Sequence, residues 1–145
     1  MEYTVHTDGG ARGNPGPAAI GFVIRDGSGK VLRKVGKRIG EATNNVAEYE
    51  ALIVALGELK KLVPKGERKN AHVSVRMDSE LVVKQLSGEY QIKEEPLQLL
   101  FVTVWNLRVS EFPNVTFTHI AREENAEADA LVNNALDAEQ GTLLS

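Results

Sequence analysis

No cysteine occurs among the 145 residues. That excludes a disulfide framework, a thiolate metal site and a cysteine nucleophile. An apolar run long enough to span a bilayer is also missing. The start, Met1-Glu2-Tyr3-Thr4-Val5, has no basic segment followed by an apolar one, so it does not read as a signal peptide. Excess positive charge is lacking as well: the formal net charge is −3, where a plain phosphate binder shows a basic footprint. Carboxylates gathered around metal cations change that balance, because four neutralised acids leave the remainder slightly net positive. There is no internal repeat, low-complexity tract or long linker. What is present, 42% hydrophobic and 26% charged residues, is ordinary globular composition. The expectation is a soluble, cytoplasmic protein whose residues 1–145 form a single domain.

Hydrophobic periodicity places the elements. Tyr3 to Asp8 alternates and predicts a strand, followed by a glycine-rich turn from Gly9 to Pro17. Ala19 to Arg25 and Lys30 to Ile39 read as strands joined by the hairpin turn Asp26-Gly27-Ser28-Gly29. Thr43 to Leu62 is a long amphipathic helix that Thr43, Asn44 or Asn45 can cap. Val73, Val75 and Met77 alternate in a fourth strand ending at Asp78, before a short helix from Ser79 to Leu86. Pro96 suits the first turn of another helix, with Leu97, Leu100, Phe101, Val104 and Leu107 on its apolar face. Val115 to Ile120 is a fifth strand, and Asn125 caps a last helix with Ala128, Leu131, Val132, Ala135 and Leu136 on its stripe. Hairpin-joined strands first, then strand–helix alternation, predict an α/β fold with one mixed sheet covered by helices.

Four acids stand out by position. Asp8 and Asp78 end the first and fourth strands, each with parity opposite to the apolar residues of its strand. Were the two strands neighbours, both carboxylates would emerge on one face at one end. Glu48 and Asp129 fall in the first turns of the long helix and the last helix. Taken singly, an acid at a strand end or helix start is more often a cap or surface residue, favoured there by the helix dipole. The surrounding segments outweigh that reading: Thr7-Asp8-Gly9-Gly10-Ala11-Arg12-Gly13-Asn14-Pro15-Gly16, Thr43-Asn44-Asn45-Val46-Ala47-Glu48-Tyr49, Met77-Asp78-Ser79, and Arg122-Glu123-Glu124-Asn125-Ala126-Glu127-Ala128-Asp129.

In this order and at these spacings the four segments resemble the type 1 ribonuclease H family, over about Tyr3 to Leu136. The resemblance implies a five-stranded mixed sheet in the order 3-2-1-4-5, flanked by helices. It implies endonucleolytic cleavage of the RNA strand of RNA–DNA hybrids by a monomer using Mg²⁺ or Mn²⁺, two ions with substrate bound. Asp8, Glu48, Asp78 and Asp129 are its implied catalytic and metal-binding carboxylates: Asp8 bridging both ions, Glu48 and Asp78 on the leaving side, Asp129 on the water side. Gly9, Gly10, Arg12, Asn14, Asn44 and Asn45 are implied to meet the hybrid, and Thr43 to help hold a DNA-strand phosphate. The chemistry agrees. Phosphodiester hydrolysis needs an activated water, in-line geometry and charge relief at the leaving oxygen, which two hard cations supply. Such cations prefer oxygen ligands. Asparagine offers both donor and acceptor to a 2′-hydroxyl.

The chain departs from the family in three places. Gly88 to Pro96 is short and net acidic where many members carry a basic protrusion. Glu41 stands where some members have a phosphate-lining arginine. No histidine precedes the last helix in Ala121-Arg122-Glu123-Glu124. Arg122 is the candidate auxiliary group there, and His119 is expected to be a strand residue. Alternatives are a non-catalytic hybrid binder, a junction-cutting nuclease of similar fold, and a detached reverse-transcriptase domain. The four intact acids favour an enzyme, and the asparagines favour hybrid over DNA duplex.

Overall fold

The computed structural model describes the backbone of residues 1–144 and the side chains of residues 1–138. Strands β1 (Glu2–Ala11), β2 (Gly16–Asp26) and β3 (Val31–Ala42) lead to helix α1 (Asn44–Leu62). Then come β4 (His72–Met77), α2 (Glu80–Leu86), α3 (Glu95–Ser110), β5 (Val115–His119) and α4 (Ala126–Leu144). The sheet order is β3-β2-β1-β4-β5, as expected. The hairpin-linked strands pair antiparallel, while β1–β4 and β4–β5 pair parallel.

Each face of the sheet has its own cover. Tyr49, Leu52, Leu56 and Leu59 of α1 meet Val5, Phe22, Ile24 and Val75 in the main core, which Leu97 and Val104 of α3 extend. On the other face Val132 and Leu136 of α4 pack with Ala19. α4 lies over β1, β2 and β3, leaving Arg76 of β4 and Thr116 of β5 exposed. No helix among the described residues is long and apolar enough to cross a membrane.

Two expectations need correction. The stretch Gly9 to Pro17 is not all turn: β1 runs on to Ala11 and β2 begins at Gly16. Glycine there serves close packing. A Cβ on Gly9 would collide with the Ala47 carbonyl of α1, so a bare backbone lets helix and strand meet without ending the strand. Asn125 is not a helix cap. It ends a short 3-10 turn, Arg122–Asn125, is buried, and donates from Nδ2 to the Thr7 carbonyl at 2.8 Å. It ties the start of α4 to the central strand. The three cap candidates for α1 reduce to Thr43, whose Oγ1 accepts from the Val46 amide at 3.2 Å.

Candidate active site

Strand register builds the centre. Thr7 and Met77 are paired across the parallel β1–β4 ladder, so Asp8 and Asp78 follow side by side. Ser79 stops the strand by capping α2, its Oγ accepting from the Val82 amide at 3.3 Å. Glu48 reaches in from α1 past Gly9, whose backbone amide bonds to it. The carboxylate oxygens of Asp8, Glu48 and Asp78 come within 4.8 Å of one another. Asp129, on the first turn of α4, lines the same cavity of about 600 Å³. It stands outside that tight triad, and Asn133 donates to its Oδ2 at 3.3 Å.

Crowding and burial show in the acidities. Burial, reinforced by the Asp78 charge, pushes Asp8 up to about 7. Burial and the charges of Asp8 and Asp78 hold Glu48 well above the ordinary carboxylate range, and a side-chain hydrogen bond joins it to Asp8. Burial also raises Asp78, opposed by the guanidinium of Arg122 and a hydrogen bond from the Asn125 side chain. One oxygen of Glu48, Oε2, is buried with no hydrogen-bond partner. A buried acceptor left unmet is costly. Three converging hard oxygen donors, mutually repelling and with one unmet, fit a divalent cation.

The cavity wall also carries Gly9, Gly10, Arg12, Asn44, Asn45 and Arg122. Asn14 and Thr43 stand beside the wall. The Asn14 Oδ1 accepts from the Asn44 amide at 3.0 Å, and the Asn44 Oδ1 accepts from the Ala11 amide at 2.8 Å. Together they brace the β1–β2 turn against the start of α1. Arg12 pairs with Asp137 of α4 at 2.6 Å. His119 is exposed at the end of β5 and does not line the cavity. Asn133 was not foreseen: an asparagine inside a helix carries no local mark, and its only signal is its place one turn beyond Asp129.

Residues 6–135 match the family described as reverse transcriptase-like. A Ribonuclease HI of Halobacterium salinarum is 42% identical over 130 residues, which are 90% of this chain and 62% of that protein. A bifunctional protein of Mycobacterium tuberculosis is 40% identical over 139 residues, 95% of this chain but only 36% of its own length. The chain thus spans about a third to two thirds of these curated relatives. Among solved structures, an RNase H1 isolated from compost (LC11-RNase H1) superposes with a TM-score of 0.90 at 49% identity, covering 96% of this chain and 98% of that one. The same compost protein solved with an RNA/DNA hybrid superposes with a TM-score of 0.86, covering 95% and 99%. Matching sequence over nearly the whole chain, with the same five-stranded sheet, shows that this chain belongs to the type 1 ribonuclease H family.

Proposed function

We propose that this chain hydrolyses the RNA strand of RNA–DNA hybrids, with divalent cations held by Asp8, Glu48, Asp78 and Asp129. The observation that carries the reading is the cluster of Asp8, Glu48 and Asp78 oxygens within 4.8 Å, together with the unmet Glu48 Oε2. When bound, Mg²⁺ or Mn²⁺ ions, two with substrate, would polarise the scissile phosphate, make an attacking water more acidic and offset charge on the departing oxygen. Asp8, central in the cluster, would be the shared holder, Glu48 and Asp78 would complete one side, and Asp129 would help from across the cavity.

The remaining wall residues position the substrate. Asn44 and Asn45 border the cavity and present amide groups to a 2′-hydroxyl or base edge. Asn14 sets the turn from which Gly10 and Arg12 face the groove, and Thr43 orders the helix start near a DNA-strand phosphate. The planar guanidinium of Arg122, on the cavity wall, can pair with phosphate oxygens and steady them.

The test is cleavage of matched RNA–DNA hybrid, DNA duplex and RNA duplex with Mg²⁺ or Mn²⁺, with and without chelator. Hybrid-only, chelator-sensitive cleavage is expected. Asp78→Asn should lower turnover by about 10³-fold or more while hybrid binding and the folded spectrum persist, because shape is kept and the charge is lost. Cleavage that survives chelator, or wild-type turnover in Asp78→Asn, would overturn the assignment.

A further inference from the structure

The sheet face that α4 leaves bare carries a second depression, of about 550 Å³, at the end of β1 away from the carboxylates. Strand register lays out its floor. Thr4 of β1 lies between Arg25 of β2 and Ser74 of β4, and Thr116 of β5 follows Ser74. His6 lies beside Arg76 in the next row. Side-chain alternation turns all of these away from the Val5, Val73 and Val75 core. Two guanidinium-bearing residues, an imidazole and a row of hydroxyls therefore share one concave polar surface.

The groups already in place do not satisfy it. The Nδ1 atom of His6 is buried and has no hydrogen-bond partner. Two nearby acids are already engaged, Glu127 on one edge of Arg25 itself and Asp26 in its own turn. Glu127 pairs with Arg25 at 2.6 Å and with Lys34 at 3.8 Å. The Oδ1 of Asp26 accepts from the Ser28 amide at 2.9 Å, the Ser28 hydroxyl at 2.7 Å and the Lys30 amide at 3.0 Å. Glu2 is exposed at the rim. Among the described residues Arg76 forms no ion pair. A solvated sheet face explains polarity, but not a buried, unpartnered ring nitrogen flanked by arginines.

We propose that this depression is a second anion site, which takes a phosphate group independently of the carboxylate cavity. Arg76 and the free edge of Arg25 supply charge-assisted N–H donors. His6 supplies a ring N–H, and Thr4 and Ser74 supply hydroxyls. The phosphate belongs either to a small phosphomonoester or to a nucleic acid backbone lying outside the cleavage groove. Both present the same oxygens, so their affinities distinguish them.

The experiment uses backbone-amide NMR of the full chain in chelator, so that metal at the carboxylates cannot recruit phosphate. Inorganic phosphate, adenosine monophosphate and a short single-stranded DNA are titrated separately, against sodium chloride at matched ionic strength. Saturable shifts at Thr4, His6, Ser74, Arg76 and Thr116 are expected. Arg76→Glu should weaken them about tenfold or more, while Lys37→Glu on β3 leaves them unchanged and cleavage of hybrid stays at the wild-type rate in both. If Arg76→Glu is poorly folded, Arg76→Gln gives the same comparison. Tighter binding of the monophosphate identifies the small ligand, and tighter binding of the oligonucleotide identifies the backbone. Shifts confined to the Asp8–Asp129 cavity, equal shifts with chloride, or a folded Arg76 variant that binds like wild type would overturn the proposal.

Discussion

Asp8 meets two opposed demands, and pH separates them. A ligand for a cation must be ionised, yet burial and the Asp78 charge raise its pKa to about 7. A carboxyl whose folded pKa lies above its unfolded value disfavours the folded state when it ionises. Between the unfolded value, near 4, and about 7 the folded form binds more protons, so stability falls as pH rises. In chelator, the melting temperature should therefore drop from about pH 5 to pH 8, and Asp8→Asn should flatten that slope and stabilise the protein at pH 8 by roughly 1–3 kcal/mol. Thermal melts of both proteins across this range check it, and added Mg²⁺ should restore much of the wild-type stability. An unchanged slope in Asp8→Asn would mean that the crowding is relieved elsewhere. Arg122 and His119 give a second contrast. Arg122 lines the cavity beside Asp78, whereas His119 is exposed outside it. Arg122→Ala should lower turnover about tenfold or more through lost charge stabilisation, while His119→Ala should leave it within about twofold, because a surface side chain carries little of the reaction. Single-turnover rates decide between them. Greater damage from His119→Ala than from Arg122→Ala would reverse the roles.

At the level of elements, the most sensitive junction is the contact of α1 with β1. Gly9→Ala pushes a methyl into the Ala47 carbonyl. It should cost about 2 kcal/mol or more, since neither backbone can give way cheaply. Chemical denaturation measures this, and the same variant should lose activity, because Glu48 follows Ala47. This junction also shows where sequence reading stops. Among the described residues, periodicity found the five strands and four α-helices but not the short 3-10 turns Lys65–Asn70 and Arg122–Asn125, and local chemistry around Asp8, Glu48, Asp78 and Asp129 marked the cavity before any contact was known. The glycines were read as a turn because that is their commonest local meaning. Their use as a landing surface for a helix depends on a tertiary approach that no window contains. Asn125 was misread for a similar reason: the carbonyl it serves belongs to Thr7, 118 positions away. The third helix has a comparable blind side. Its buried stripe was legible, but Leu99, Val102, Trp105 and Val109 stand exposed on the opposite side, and composition alone does not say which of two apolar faces goes inward.

For the molecule as a whole, charge is arranged in compartments. A net charge of −3 is unfavourable for meeting a polyanion, and the carboxylate cavity concentrates that disadvantage until cations enter. The segment from Gly88 to Pro96 offers no compensation: Glu89, Glu94 and Glu95 outnumber Lys93. Hybrid affinity should therefore rest on few phosphate contacts, so the apparent KM should be high and rise only gently with salt, because the salt slope scales with the number of contacts. Replacing Glu89 to Glu94 with a lysine-rich insertion should lower KM by about tenfold at moderate salt, with kcat and the metal requirement unchanged. Steady-state kinetics across a salt series measure both effects. No gain would mean that the hybrid takes another path over the surface.

The tie between Asn125 and Thr7 has a consequence for timing. The cavity is completed by the last helix, although its central carboxylate sits on the first strand. A chain emerging from the ribosome carries Asp8, Glu48 and Asp78 well before Asn125 and Asp129. Until the closing helix docks, the early acids lack both their fourth member and the arginine that tempers Asp78. The full set of four acids is therefore brought together in one late step, when α4 docks against the sheet.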